Sequence, residues 1–129
     1  MKEVMAIVRL NKVSVTKQAL AEAGFPAFTC RRVLGRGKKS VDLAIMQAIL
    51  DTGELPVSPI GENLTEPGRL ISKRIFNLII KEEDVDKVVN TMIEANSTGN
   101  PGDGKIFVLP IMDAYRIRNG EQQTDSESY

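Results

Sequence analysis

The most informative absence in the chain is histidine: the 129 residues contain none, and they contain no tryptophan and only one cysteine. Without histidine, Ser–His and Cys–His catalytic pairs and histidine metal sites are all excluded. The single Cys30 has no partner for an intrachain disulfide, which is typical of proteins from a reducing compartment. Cys30 is interpreted as a small apolar strand residue, with a reactive thiol as the alternative.

Net charge and long apolar runs are also lacking. The 17 basic and 17 acidic residues cancel, and aromatic residues make up only 5%. Such a chain has no overall field to draw it onto nucleic acid or an anionic membrane, and few rings for base stacking. No apolar run approaches the roughly 20 residues that span a bilayer, and no signal peptide is recognised at Met1. We therefore expect a cytoplasmic protein without nucleic-acid partners or membrane insertion, in which a local cluster must hold any bound anion.

Apolar periodicity predicts four strands and two helices. The strands are expected at 3–10, 25–34, 74–80 and 105–109, and the helices at 14–23 and 82–95. The order strand, helix, strand, insert, strand, helix, strand is that of an α+β, ferredoxin-like fold. One sheet face would carry both helices. The other would be bare and apolar, and further copies of the chain would cover it most simply.

The insert at 37–70 is far longer than the connection requires. Loops beyond about 15 residues without structure are usually functional or disordered. Within it, Leu43, Met46 and Leu50 share helical spacing, and glycines and prolines follow. Two interpretations stay open: a docked surface helix with a flexible return, or a partner-binding element that orders on contact. The polar tail at 119–129 is expected to fray.

Three short segments carry candidate chemistry. The segment Thr98-Gly99-Asn100-Pro101-Gly102-Asp103-Gly104-Lys105 holds three glycines in six residues, which allow positive φ and amides that surround an anion. An ordinary helix-to-strand loop is the alternative, and the order of a Walker A motif is absent. Arg116-Ile117-Arg118, if extended, would direct two guanidinium groups to one side, as phosphate binding requires. Gly35-Arg36-Gly37-Lys38-Lys39 is the weakest of the three, because exposed hairpins often look the same.

Taken together, these segments resemble the PII nitrogen-signalling proteins. The resemblance rests on Thr98-Gly-x-x-Gly-Asp-Gly-Lys-Ile-Phe-Val108, Arg116-Ile-Arg-x-Gly-Glu121, Ala19-Leu-Ala-Glu-Ala-Gly24 and Gly35-x-Gly-Lys38. It covers nearly the whole chain except 40–70 and the last few residues. It implies one domain over 1–129 with a ferredoxin-like fold, a homotrimer, and ATP or ADP in clefts between subunits. The insert would be the family's T-loop, at about 37–70, and the glycine-rich segment its B-loop, at about 98–105.

Residue by residue, the resemblance also implies binding positions. Nucleotide contacts would come from Thr29, Gly35, Gly37, Lys38, Ile79, Gly102, Asp103, Gly104, Lys105, Arg116 and Arg118. Arg116 and Arg118 would come from the neighbouring subunit. Lys73 matches the family lysine that pairs with 2-oxoglutarate, and Lys39 stands where the family has a glutamine that helps to hold magnesium. Either Lys39 meets the effector carboxylate or a phosphate directly, or the magnesium-bridged geometry is lost.

The long insert contains no tyrosine, since Tyr115 and Tyr129 are the only two, and the family's uridylylation has no acceptor there. The chain thus looks like the second of the paired PII-like proteins of nitrogen-fixation operons. That implies a regulator, not an enzyme, whose partners are a paralogous PII-like subunit and the dinitrogenase component of nitrogenase. Leu43, Met46 and Leu50 would meet the partner when ligands reorder the loop. A generic PII protein for an ammonium transporter or a metabolic enzyme is the nearest alternative.

Two other classes fit less well. An ATP-hydrolysing enzyme would need to activate water, and Asp103 is the only carboxylate near the glycine-rich segment. A nucleic-acid binder could use the basic run that includes Arg31, Arg32 and Arg36, but zero net charge and few aromatics oppose it.

Overall fold

The computed structural model describes residues 1–37 and 70–124. Contacts divide the chain into two units: Met1–Val33 with Lys73–Tyr129, and Leu34–Ser72. The elements of the described residues are β1 (Lys2–Val8), α1 (Val13–Glu22), β2 (Thr29–Gly35), β3 (Ile71–Ile80), α2 (Val85–Asn96) and β4 (Lys105–Pro110). Short 3-10 turns at Leu10–Lys12 and Glu82–Asp84 lead into the two helices. Of the second unit, residues 34–37 and 70–72 are described, which include the end of β2 and the start of β3.

The four strands form one sheet in the order β2-β3-β1-β4. Strand β1 lies between β3 and β4 and is antiparallel to both. This order, with two helices in the described part of the chain, confirms the predicted ferredoxin-like α+β fold. Among the described residues, no helix is long and apolar enough to cross a membrane.

The core lies between one sheet face and the two helices. Val4, Ala6 and Val8 alternate along β1 with half-exposed neighbours, which is the period-two pattern of a strand buried on one side. The remaining members of the buried cluster are Leu20, Phe76, Leu78, Ile80, Val88 and Met92. Each large side chain in this set contributes roughly 1.5–3 kcal/mol by leaving water.

A buried polar pair joins the helices within this apolar layer. Asn96 Nδ2 on α2 donates to Thr16 Oγ1 on α1 over 3.0 Å, and to its own helix at Met92 O over 2.9 Å. The Thr16 hydroxyl in turn donates to Lys12 O over 2.7 Å. Helical spacing in the sequence allows Val13, Leu20 and Ala23 to share one buried face of α1. Leu20 is indeed buried, whereas Thr16 takes the second fully buried place.

The first helix ends as its sequence predicts. Gly24 has φ +92°, its amide donates to Ala21 O, and the amide of Phe25 donates to Leu20 O. This pair of bonds is a Schellman motif, which a glycine at that position favours. Because Phe25 is used to close the helix, β2 starts at Thr29, four residues later than predicted. Strand β3 starts at Ile71, three residues earlier than predicted.

The second sheet face is largely apolar, with Glu3 and Asn77 among its residues, and it carries neither of the two described helices. The register sets Met5 beside Phe107, and Glu3 beside both Ile79 and Leu109, all on the side opposite the core. Phe107 is 42% exposed, and Glu3 Oε1 accepts a hydrogen bond from Asn77 Nδ2. The bare apolar face expected from the sequence is therefore present in the described chain.

Candidate functional site

The site is built where three strands meet at one end of the sheet. Strand β1 runs antiparallel to both neighbours, and Ile7 near its end is opposite Ile75 of β3 and Lys105 of β4. The end of β1 therefore lies beside the beginnings of β3 and β4. This topology brings together Arg9, Lys73 and the glycine-rich segment before Lys105, which are far apart in sequence.

The glycine-rich segment folds around the side chain of its own aspartate. Asp103 Oδ2 accepts hydrogen bonds from the amides of Thr98, over 2.8 Å, and Gly99, over 3.1 Å. Asp103 Oδ1 accepts a further bond from the Thr98 hydroxyl. Gly99, Gly102 and Gly104 have φ of +81°, +97° and +118°, which lets the backbone reverse within these few residues. Residues 98–104 thus form a closed loop.

Arg9 attaches this loop to the sheet. Its Nη1 lies 3.0 Å from Asp103 Oδ1 and donates to Thr98 Oγ1 over 3.3 Å. Its Nη2 donates to Pro101 O over 2.9 Å. Sequence reasoning missed Arg9, because nothing local marks it and 89 residues separate it from Thr98. The predicted strand order could have indicated it, since a residue that follows β1 must lie near the start of β4.

Lys73 holds the same loop from the other neighbouring strand. Its Nζ donates to Gly102 O over 3.1 Å. Partial burial and the nearby Arg9 guanidinium lower the pKa of Lys73, while the Asp103 carboxylate opposes that shift. Two cations and one anion therefore lie together at this sheet end, and an incoming anion would relieve the repulsion between the cations.

The carboxylate of Asp103 is committed to the loop. The two hydrogen bonds from Thr98 are the main causes that lower the pKa of Asp103. Desolvation opposes them, and the Arg9 charge and the Gly99 amide lower the pKa further. Such a group braces the backbone, and its oxygens are already used. Among residues 1–37 and 70–124, no cluster of three or more cysteine or acidic side chains could hold a metal ion.

Gly104 lies directly against β1. A Cβ built there would fall 1.9 Å from the carbonyl oxygen of Ile7, a separation that no side chain tolerates. The next residue, Lys105, is exposed and begins β4. The loop thus reaches the sheet through a backbone contact that only glycine permits, and it places a lysine at the strand start as predicted.

The arginine pair lies in a hairpin after β4. Tyr115 pairs with Gln122, the amide of Gly120 donates to Arg116 O over 2.8 Å, and residues 117–119 form a turn. The condition of an extended backbone at 116–118, on which the parallel guanidinium groups depended, is therefore not met. Gly120, at φ +71°, closes the turn, and Arg116 Nη1 lies 3.8 Å from Glu121 Oε2. Residues 119–123 of the predicted tail belong to this hairpin, whereas 125–129 lie outside the described residues.

The remaining predicted positions are not gathered at this sheet end. Ile79 is opposite Glu3, which lies six residues, or roughly 20 Å, along β1 from Arg9. Thr29 begins β2, on the opposite sheet edge from β4. Gly35 is half-buried and Gly37 exposed in the second unit. Lys38, Lys39, Leu43, Met46 and Leu50 lie outside the described residues.

Comparison with known proteins decides which family this geometry belongs to. The family described as "Nitrogen regulatory protein P-II" matches residues 1–121. The chain belongs to the PII family. A relative from Methanothermobacter marburgensis, named "Nitrogen fixation nifHD region GlnB-like protein 2", is 41% identical over 127 residues, covering 98% of this chain and 99% of its own. The resemblance seen in the sequence, including that to the second PII-like protein of nitrogen-fixation operons, is confirmed.

Two further PII proteins are also similar to the chain. "Nitrogen regulatory protein P-II 2" of Methanothermobacter thermautotrophicus is 33% identical over 126 residues, covering 94% of this chain and 92% of its own. The crystal structure titled "Arabidopsis thaliana PII bound to citrate" is similar with a TM-score of 0.65 and 29% identity, covering 95% of this chain and 84% of that one. The chain is thus a PII nitrogen regulatory protein similar to those of nif regions.

Proposed function

We propose that this PII protein senses nitrogen status by binding ATP or ADP together with 2-oxoglutarate, and that it inhibits dinitrogenase when ammonium is plentiful. It acts as a signalling protein rather than as an enzyme. One observation carries the proposal: in a nif-type PII chain, a glycine loop is fixed beside Lys73 and Arg9 at one sheet end. A polyphosphate and a dicarboxylate are ligands that such a neighbourhood of amides and cations recognises.

The loop and the lysine after it supply the phosphate contacts. Arg9 contacts the Asp103 carboxylate and the Pro101 carbonyl inside the loop. The nucleotide phosphates are proposed to bind to Gly102, Gly104 and Lys105, the last of which begins β4. Asp103 shapes the loop in this account instead of touching phosphate. Each charge-assisted hydrogen bond to phosphate contributes about 1.5–3 kcal/mol. Loss of Lys105 should therefore weaken ATP binding by about tenfold or more.

A second copy of the chain completes the cleft in this proposal. Within one protomer, Thr29 lies on the sheet edge away from the glycine-rich loop, and Ile79 lies at the other end of the sheet from it. The apolar face with Met5 and Phe107 is the surface that a homotrimer would bury. Arg116 and Arg118 would then reach the phosphates of the neighbouring cleft from their hairpin. Gly35, Gly37 and Lys38 would line its wall.

The effector is proposed to bind through Lys73. The Lys73 ammonium has three N–H donors and donates one to Gly102 O, so it can also donate to a carboxylate. Contact of one lysine with both loop and effector gives positive coupling to ATP, typically about 1–3 kcal/mol. Lys39 is proposed to meet the other end of 2-oxoglutarate or a phosphate. Ligand-dependent rearrangement of 37–70 would then present or withdraw Leu43, Met46 and Leu50.

Calorimetry tests the ligand part of this proposal. ATP affinity is measured with and without saturating 2-oxoglutarate for the unaltered chain, Lys73→Met and Lys17→Met. Lys17 is an exposed cation on α1 and serves as the matched control. We expect 2-oxoglutarate to raise ATP affinity about tenfold in the unaltered chain and in Lys17→Met, but not in Lys73→Met. Equal ATP affinity in all conditions would contradict the proposed coupling.

The regulated target needs its own experiment. Dinitrogenase activity is assayed with the purified chain and its paralogous PII-like partner, with and without ATP and 2-oxoglutarate. We expect inhibition that the two ligands relieve. The second candidate, a generic PII protein for an ammonium transporter or a metabolic enzyme, is favoured by the 33% identity to a relative named only as P-II 2. Unchanged dinitrogenase activity together with intact ATP binding would support that candidate instead.

A further inference from the structure

We propose that Arg9 is the positioning residue of the nucleotide site: its guanidinium fixes the 98–104 loop for phosphate and neutralises Asp103 beneath it. This inference rests on the proposed nucleotide binding and adds a residue to it. Arg9 does not touch the nucleotide in this account. It acts through Thr98, Pro101 and Asp103, which are its three partners in the loop.

The contacts of Arg9 span the whole loop. Its two terminal nitrogens reach the first residue of the loop, Thr98, then the carbonyl of Pro101 at its middle, and then Asp103 near its end. A planar guanidinium suits three acceptors set around it, whereas a single ammonium cannot match that arrangement. Arg9 is itself held in place, because its carbonyl accepts the amide of Lys12 in the turn that follows β1. The loop is therefore tied to the sheet at three places by one side chain.

Order in the loop before binding has a direct effect on affinity. A loop with three glycines at positive φ has many alternative conformations, and a ligand that must select one of them binds more weakly. With Arg9 in place, the amides of Gly102 and Gly104 are already oriented when the phosphate arrives. Removal of Arg9 leaves the Asp103 contacts within the loop and the backbone contact of Gly104 with β1, but it removes the side-chain contacts that hold Thr98, Pro101 and Asp103.

Charge adds a second effect of the same sign. The Asp103 carboxylate lies within the loop that receives a polyanion, and Arg9 is the ion-pair partner that the structure gives it at 3.0 Å. Without the guanidinium, this negative charge repels the incoming phosphates. The repulsion disappears if Asp103 also becomes asparagine, whose side-chain oxygen still accepts from the Thr98 and Gly99 amides. This reversal separates an electrostatic positioning role from simple loss of packing.

The experiment compares ATP and adenosine binding by calorimetry at low salt for four variants. They are Arg9→Met, Arg9→Lys, the double variant Arg9→Met/Asp103→Asn, and the control Lys17→Met, which removes one exposed positive charge from α1. We expect Arg9→Met to bind ATP about tenfold more weakly, with Arg9→Lys in between and Lys17→Met unchanged. Adenosine affinity should stay constant throughout. The double variant should recover several-fold of the loss, as expected when the repulsion between Asp103 and the phosphates is removed.

Two results would overturn the inference: Arg9→Met within about twofold of the unaltered chain for ATP, or a double variant that binds no better than Arg9→Met. If the unaltered chain binds no adenine nucleotide, the proposed function fails. The positioning role is then decided by hydrogen exchange without ligand. Faster exchange at the Gly99 and Gly102 amides in Arg9→Met, with the helices unaffected, supports the role, and unchanged loop exchange refutes it.

Discussion

Replacement of Gly104 by alanine tests the backbone contact on which the loop depends. The added Cβ would lie 1.9 Å from the Ile7 carbonyl oxygen, at a φ of +118°. Two costs follow. An L-residue in that region of φ costs about 1–3 kcal/mol. The clash also forces the loop or β1 to move by more than about 1 Å, which disrupts pairing of Ile7 with Lys105 and loses hydrogen bonds of about 0.5–1.5 kcal/mol each.

At the middle of their ranges, these contributions add to about 3 kcal/mol, a large part of the 5–15 kcal/mol that stabilises an ordinary domain. Gly99→Ala is the matched control. It lies in the same loop at φ +81°, but a Cβ there meets nothing within 4 Å. Gly99→Ala should therefore cost only the backbone preference, about 1–2 kcal/mol.

Urea unfolding measures both variants at one protein concentration, because association would make the apparent stability depend on concentration. ATP affinity is measured in parallel. We expect Gly104→Ala to be the less stable of the two by at least about 1 kcal/mol and to lose ATP binding beyond any loss in Gly99→Ala. Equal stabilities and equal affinities in the two variants would refute the close contact between Gly104 and β1.

Three further predictions follow from the described contacts. Thr16→Val should destabilise the fold by about 1–3 kcal/mol in urea unfolding, because it removes the hydroxyl that accepts a hydrogen bond from the buried side-chain amide of Asn96 on α2. Thr91→Val, which removes the same kind of bond to a helix carbonyl at a more exposed place, should cost less than about 0.5 kcal/mol. Because the pKa of Lys73 is lowered, its ammonium loses its proton as the pH rises through that lowered value, and 2-oxoglutarate affinity should fall there. Lys73→Arg, which stays charged, should keep its affinity in an alkaline titration. Because the pKa of Asp103 is lowered on folding, its contribution is complete above the ordinary carboxyl pKa of about 3.9 and is lost as the pH falls through the folded value. Asp103→Asn should flatten this acid side of the stability profile, measured by urea unfolding between about pH 5 and pH 2.

The parts of the site that could be predicted are those whose chemistry is local. Gly102, Gly104 and Lys105 can be recognised from the sequence, because closely spaced glycines followed by a lysine predict an anion-binding loop from a few neighbouring residues alone. Their positive φ values and strand start agree with that meaning. The sequence predicts that Arg116 and Arg118 act as a pair, but it does not predict their backbone conformation, because Gly120 closes the turn of a hairpin there.

Roles that depend on distant partners could not be predicted in the same way. The sequence predicts that Asp103 contacts phosphate, whereas in the structure its carboxylate accepts three hydrogen bonds from the loop and pairs with Arg9. Arg9 carries no local signal, since a lone arginine after a strand is ordinary. Nothing in the local sequence marks Thr16 for burial, and its buried hydrogen-bond partner, Asn96, is supplied by α2.

The sequence by itself determined the fold class, the family and the positions of the glycines, since periodicity, helix termination and left-handed φ are fixed by residues within one or two turns of each other. The tertiary structure decided which charges share the site, because β1 must lie antiparallel between β3 and β4 before Arg9, Lys73 and the 98–104 loop can meet. Hydrogen bonds and ion pairs act over about 3 Å, so pairs that are 29 to 92 residues apart acquire their meaning only when the sheet forms.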